Sequence, residues 1–323
     1  MSRKQCPCEY DDITSVDNIL YAWQEFVRGK KSKPDVQAFQ LRLMDNILAL
    51  RRDLKHETYR HGSYEAFKIN DPKPRDIHKA SVRDRLVHHA IYRILYPFFD
   101  RAFIADSYSC RKGKGTHRAI DRFRRYSYQV SQNHTRTCWV LKCDIKKFFA
   151  SIDHLTLKRI LASYISDTET LRLLDIIIDS FLTGLPLGNL TSQLLVNIYM
   201  NEFDQYVKHR LRERHYIRYA DDFVILSRDK KHLESLVSQI GQFLSARLRL
   251  TLHPRKVSIS TISSGVDFLG WVHFPDHRVL RTSTKRRALR NCAGREQADP
   301  VARSYLGLLE HGNAKRIGRQ LRG

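Results

Sequence analysis

The chain has 323 residues, 42% of them hydrophobic, and carries 57 Lys and Arg against 34 Asp and Glu, a net charge of +23. That length suits two or three packed subdomains, and the apolar share can supply their cores. Basic residues recur from Arg28 to Arg322, so the charge belongs to the folded body. A polyanion is the expected partner, because each neutralised phosphate releases counterions and strengthens binding. Cys6, Cys8, Cys110, Cys138, Cys143 and Cys292 are scattered without paired C-x-x-C spacing, which argues against zinc and for reduced thiols. No apolar stretch approaches the roughly 20 residues that span a bilayer. Met1–Tyr10 is polar, with no signal-peptide core, so no membrane partner is expected and the cytoplasm is the expected compartment.

From Val16 to Tyr59, apolar residues at helical spacing (Ile19, Leu20, Trp23, Phe26, then Phe39, Leu43, Ile47) predict a helical hairpin broken at Gly29–Pro34. Tyr64–Ile69 alternates like a strand, Asp71–Arg75 reads as a turn, and Val82–Phe99 returns to helical periodicity. The loop Ser109–Gly115 carries Arg111, Lys112 and Lys114; it suits phosphate contact but lacks the Walker pattern. Trp139–Cys143 is an apolar strand delivering Asp144 to its end, followed by an expected helix from Ile145 that carries Phe148 and Phe149. Helices follow at Leu171–Phe181 and Ser192–Arg212.

Tyr216–Arg218 and Phe223–Ser227 are two β-prone runs joined by Tyr219–Asp222, a hairpin with acidic residues at its turn. A helix at Lys231–Arg247 and strands at Lys256–Ser260 and Phe268–His273 are expected to close the sheet. The order of strand, helix, hairpin, helix, strand is α+β. Beyond Arg281 the piece is basic and helical, with Lys285, Arg286, Arg287 and Arg290 clustered. His88 and His89 lie together in a helix without a zinc-type pairing and receive no role.

Phosphoryl transfer from a nucleoside triphosphate uses two metal ions about 4 Å apart, one activating the attacking hydroxyl and one clamping the leaving pyrophosphate. Hard cations such as Mg²⁺ want carboxylate oxygens. Asp144 at a strand end, with Asp221 and Asp222 on a tight hairpin, would present three carboxylates at one edge of a sheet. A doubled Asp in a turn is ordinarily only a solvated turn. Here it is flanked by apolar strands and preceded by an apolar strand ending in Asp144.

Tyr219-Ala220-Asp221-Asp222 resembles the signature hairpin of reverse transcriptases, and Lys142-Cys143-Asp144-Ile145-Lys146-Lys147-Phe148-Phe149 resembles their first catalytic-aspartate block. Pro74-Arg75 with Val82-Arg83-Asp84-Arg85, then Phe103–Ala119, Gly184–Asn197, Leu252–Ser258 and Phe268-Leu269-Gly270, are similar to the other blocks, so the resemblance spans about Tyr64–His273. It implies a right-hand polymerase fold with fingers, a palm whose antiparallel sheet has helices on one face, and a short helical thumb. The expected boundaries are 1–62 for an N-terminal helical extension, 63–138 for fingers (155–185 partly a fingers/palm insertion), 139–278 for the palm and 279–323 for a basic thumb.

The resemblance implies an RNA-directed DNA polymerase in which Asp144, Asp221 and Asp222 hold two Mg²⁺ ions, for which Mn²⁺ can substitute, with the Ile145 backbone beside them. Phe149 would be the steric gate that excludes a 2′-hydroxyl. Arg75, with Lys68 or Lys73 assisting, would neutralise the triphosphate, and Leu187 and Gly188 would line the dNTP site. Lys256 matches a lysine proposed to protonate pyrophosphate. Arg111, Lys112, Lys114, Tyr219, Lys285, Arg286 and Arg287 would contact template RNA or the RNA/DNA hybrid.

The block Leu185–Gln193 is similar to that of diversity-generating retroelement enzymes, which copy a template RNA inaccurately; many reverse transcriptases carry Gln at the Leu187 position and Pro at the Gln193 position. That likeness implies a bacterial or phage-encoded protein working with a small basic oligomeric accessory protein. The lack of a nuclease or maturase-type segment beyond Gly323 is taken to set it apart from mobile group II intron proteins. The alternatives are a retron-like or phage-defence enzyme, an RNA polymerase, or a catalytically silent RNA-binding scaffold.

Overall fold

The computed structural model describes residues 4–70, 74–293, 299–313 and 317. Its helices are α1 (Tyr10–Thr14), α2 (Val16–Phe26), α3 (Pro34–Leu41), α4 (Leu43–Lys55), α5 (Val82–Ala102), α6 (Thr116–Val130), α7 (His154–Ala162), α8 (Thr168–Asp179), α9 (Leu190–Gln205), α10 (Lys230–Leu248), α11 (Thr282–Cys292) and α12 (Pro300–Leu309). Its strands are β1 (Glu65–Ile69), β2 (Arg75–Lys79), β3 (Trp139–Asp144), β4 (Tyr216–Tyr219), β5 (Asp222–Ser227), β6 (Ser258–Thr261), β7 (Val266–Phe268), β8 (Trp271–His273) and β9 (Arg278–Leu280). The chain weaves between two compact units. The first comprises Met1–Ala105, Lys146–Tyr206 and Phe243–Thr251; the second comprises Asp106–Ile145, Val207–Gln242 and Leu252–Gly323.

The first unit is largely helical. Side-chain oxygens cap the N-termini of its helices where the sequence supplies them: Ser15 accepts from the Asn18 amide, Ser81 from the Asp84 amide, Asp153 from the Thr156 amide and Asp167 from the Thr170 amide. Helix α5 is its axis, packed against α2 and α9 and burying Leu86, Ala90, Ile91, Leu95 and Phe99. The expected hairpin over Val16–Tyr59 gains a third helix, because Pro34 opens α3 and Arg42, outside helical dihedrals, separates α3 from α4. Arg75, assigned to a turn from the sequence, is the first residue of β2, opposite Ile69.

The second unit is built on an antiparallel sheet in the order β4-β5-β3-β6. One face is covered by α6, whose Ala119, Phe123, Tyr126 and Val130 pack with Val140, Ile217, Val224 and Leu226. A second sheet, β7-β8-β9, holds the buried Trp271 with Leu280, Ile120 and Leu309. Phe268–His273 therefore does not extend the first sheet as expected. Leu269 and Gly270 both take positive φ (51° and 87°), which turns the segment back on itself as a tight hairpin.

The helix expected from Ile145 is also corrected. Lys147 sits in the left-handed region, φ 47°, and the phenylalanines lie in a 3₁₀ turn, Phe148–Ser151, with the α-helix delayed until the Asp153 cap. All six cysteines are free thiols. Among the described residues no helix is long and apolar enough to cross a membrane.

Candidate active site

Strand β3 pairs with β5 so that Asp144 lies directly opposite Asp222, and β4 pairs with β5 so that Tyr219 opposes Asp222. Ala220 and Asp221 form the two-residue turn between them, with Ala220 left-handed at φ 56°. Directly opposed residues on antiparallel strands share a face, their β-carbons roughly 5 Å apart, and like charges there repel. The apolar residues just behind them, Cys143, Phe223 and Val224, are fully buried and hold this register.

The electrostatics follow from that placement. Burial pushes the Asp221 carboxyl up to about 6, with the charges of Asp144 and Asp222 adding to the rise. Asp222 is raised as well, by burial first and then by Asp144, against the counter-pull of Lys142. Lys256 answers part of this charge: its Nζ donates to both oxygens of Asp144 at 2.9 Å. The Ile145–Leu252 bridge is closed on this strand by the His253 amide donating to the Asp144 carbonyl at 2.8 Å.

A divalent cation fits the donor chemistry, since the raised carboxyls of Asp221 and Asp222 would be relieved by a positive ion. Among the described residues no three His, Cys, Asp or Glu side chains converge closely enough to hold a metal ion by themselves.

The first unit gathers a second set of expected residues. The Leu185 amide donates to the Phe149 carbonyl at 2.8 Å, and a β-carbon on Gly184 (φ 68°) would lie 2.3 Å from that same oxygen. The His78 amide of β2 donates to the Leu187 carbonyl at 3.0 Å, and a β-carbon on Gly188 would lie 2.9 Å from Ile77. Phe149, Leu187, Gly188 and the strand bearing Arg75 are thus joined by backbone contacts that tolerate no added side chain. Phe148 is buried and Phe149 half-exposed, its ring edge-on to Phe148 at 5.5 Å. Arg75 is exposed, and Lys73 lies outside the described residues.

Of the expected nucleic-acid contacts, Lys112 is exposed, while Lys114 sits over the Tyr108 ring at 5.2 Å and Arg111 donates to the Ser107 carbonyl at 3.0 Å. Tyr219 accepts from Thr116 Oγ1 at 3.1 Å. Lys285 and Arg286 are exposed on α11, whereas Arg287 donates to Tyr305 of α12 at 3.2 Å. Sequence reasoning passed over Arg218, fully buried in β4, and Asn189, whose buried side-chain amide has no hydrogen-bond partner among the described residues. A lone arginine in an otherwise apolar strand was the available signal for the first; nothing local marked the second.

Residues 68–273, more than half of the chain, match the family model described as reverse transcriptase (RNA-dependent DNA polymerase). The chain belongs to the reverse transcriptase family. Among similar proteins, Protein YkfC of Escherichia coli (strain K12) is 26% identical over 328 residues, covering 85% of this chain and 84% of its own. The group II intron-encoded protein LtrA of Lactococcus lactis subsp. cremoris is 24% identical over 297 residues, covering 68% of this chain and 47% of its own, so the chain spans about half of that relative. A solved structure of apo telomerase from Candida Tropicalis, truncated from its C-terminal domain, matches with a TM-score of 0.51 at 12% identity, covering 74% of this chain and 60% of that one. At that identity the likeness is one of fold, and the fold is that of right-hand polymerases. As a reverse transcriptase the protein is an RNA-directed DNA polymerase, and its family works with divalent metals, template RNA and dNTPs.

Proposed function

We propose that the protein extends a DNA strand on an RNA template by two-metal nucleotidyl transfer, with Asp144 and Asp221 as metal ligands and Asp222 completing the cluster. The observation that carries this is the pairing of Asp144 opposite Asp222 beside the Asp221 turn. Asp144, Asp221 and Asp222 would hold the Mg²⁺, which when bound would supply charge neutralisation at the reacting phosphate and acidify the attacking hydroxyl. The Ile145 backbone lies next to these ligands. Lys256 Nζ carries the proton that a departing pyrophosphate oxygen would take, and its hold on Asp144 keeps it at the site.

In this reading residues 139–278 act as palm, 63–138 as fingers and the basic 279–323 as thumb. Arg75 binds triphosphate as a charge-assisted donor. The half-exposed ring of Phe149 selects deoxynucleotides, its backbone braced by Gly184 and Leu185. Arg111, Lys112 and Lys114 with Lys285 and Arg286 contact the nucleic-acid backbone.

The enzyme is further proposed to be the error-prone member of a diversity-generating retroelement, with a small basic accessory protein. Support comes from the Leu185–Gln193 sequence, in which an apolar Leu187 stands where an amide would constrain the nucleotide. The similarity to an intron-encoded protein favours a second reading, an accurate intron-type enzyme. Primer extension on an RNA template with dNTPs or rNTPs, sequenced at template adenines, separates them. Errors at adenine that decline in Leu187→Gln support the first; accurate copying by the unaltered protein supports the second; no DNA synthesis, with or without accessory protein, sinks both.

A further inference from the structure

Arg218 takes no part in the chemistry above, yet its side chain is 0% exposed in the strand that leads into the catalytic turn. A buried guanidinium is tolerated only where acceptors are fixed around it. Its Nη1 donates to the carbonyl of Ala220 at 3.2 Å and its Nη2 to Ser107 Oγ at 3.0 Å. Ala220 is the left-handed residue of the turn, a conformation that costs any side chain bearing a β-carbon. The guanidinium thus grips the strained peptide immediately before Asp221.

The grip is itself anchored. Ser107 bridges Arg218 as a short parallel strand: the Arg218 amide donates to the Asp106 carbonyl and the Tyr108 amide donates to the Arg218 carbonyl, both at 3.0 Å. The Asp106 carboxylate is pegged by Arg122 at 2.7 Å and Tyr126 at 2.6 Å, both on α6. At the far end of the segment, Gly115 donates to the Tyr108 carbonyl at 3.0 Å and Thr116 to the Tyr219 hydroxyl at 3.1 Å. Residues 106–116 form a strap across β4 that begins and ends on the helix that floors the sheet.

We infer that Arg218 is a positioning residue: braced by Ser107, it locks the Ala220 peptide in its left-handed form and so aims Asp221 and Asp222. This rests on the catalytic reading of those two aspartates. The strap carries Arg111, Lys112 and Lys114 at its apex, so nucleic acid held there bears on the segment that braces the turn.

The test compares the full chain with Arg218→Met, Arg218→Lys, Ser107→Ala and Asp221→Asn. In metal-free and nucleotide-free buffer, amide hydrogen exchange across Tyr219–Asp222 should quicken about 10-fold or more in Arg218→Met, with β3 unchanged, and less in Arg218→Lys and Ser107→Ala. Mn²⁺ affinity, read by electron paramagnetic resonance, should weaken about 10-fold in Arg218→Met, and kcat should fall by a similar factor with KM for dNTP nearly constant. Unchanged exchange at the turn in all three strap variants overturns the inference, as does a uniform rise over β3 and β5 that tracks loss of folded protein. If Arg218→Met does not fold, the other two strap variants decide by the same reading. A loosened turn alongside an active Asp221→Asn keeps the positioning role and sinks the catalytic one.

Discussion

The two units solve opposite problems. The first packs apolar helix faces around α5 and spends its precision on backbone: Gly184 and Gly188 lie where a β-carbon would strike Phe149 and Ile77. The second brings like charges together at a sheet edge and spends its precision on counter-charge, through Lys256 on Asp144 and Arg122 on Asp106. A shape-limited region should fail when something is added, and a charge-limited one when a charge is moved.

The largest effect expected on that basis is in the second unit. Asp221→Asn should lower primer extension by about 1000-fold or more. The same change should raise stability in metal-free buffer at neutral pH by on the order of 1 kcal/mol, because a partly buried and repelled carboxylate is removed. Single-turnover assays and urea melts read the two effects; a variant that loses both activity and stability breaks the charge-limited description.

Next comes Gly184→Ala in the first unit. Its β-carbon must occupy space 2.3 Å from the Phe149 carbonyl at φ 68°. A cost of about 2–3 kcal/mol is expected, a fall in Tm of roughly 5–10 °C, with KM for dNTP rising because Phe149 moves. Thermal melts and steady-state kinetics check it, and an unshifted Tm would mean that shape does not limit this unit.

Protonation sharpens the contrast further. Burial lowers His88 to about 3, so the unfolded chain takes up its proton first; this contribution is full above pH 6.5 and drains as pH falls from 6.5 toward 3. For Asp106, burial works upward, but the hydrogen bonds of Tyr126 and Arg122 and the charge of Lys208 hold the group below its ordinary value. Its contribution is therefore present above the ordinary carboxylate value and is lost as pH falls through the depressed one. Asp221 has the reverse sign: its carboxyl is raised to about 6, so its repulsion is felt above pH 6 and relieved as pH falls from 6 toward 3.8. Urea midpoints from pH 8 to 3 should show His88→Asn flattening the upper part of the acid slope, and Tyr126→Phe flattening only the lowest part.

The smallest effect belongs to neither unit's logic. Arg172 and Glu57 pair at 3.1 Å with both side chains about half exposed, and Glu57→Gln should change stability by about 0.5 kcal/mol or less. A larger shift in the same melts would show that surface charge matters here beyond its usual weight.

β-prone apolar runs and turn chemistry made β4, β5 and the strand ending at Asp144 legible in the sequence, because these elements are specified by their own residues. The register that sets Asp144 against Asp222 was not, since pairing between β3 and β5 depends on side chains nearly eighty positions apart. The strap was illegible for the same reason: Asp106 and Tyr108 meet Arg218 through backbone groups more than a hundred positions away, and such pairing leaves no mark in composition. The turn at Leu269–Gly270 was a local signal that was readable and missed, because the flanking runs looked like one strand.

That register has a further consequence for how such a chain tolerates change. Moving β3 by one residue against β5 would send Asp144 to the opposite face and bring Cys143 to its place. The spacing of the carboxylates is thus kept by Val140, Leu141, Phe223 and Val224, residues that never meet a nucleotide. Insertions in the exposed turn before Pro34 should pass unnoticed, while a single residue added within either strand is equivalent to deleting the active centre. The heritable information for metal spacing is stored in oil-like side chains, and the aspartates only display it.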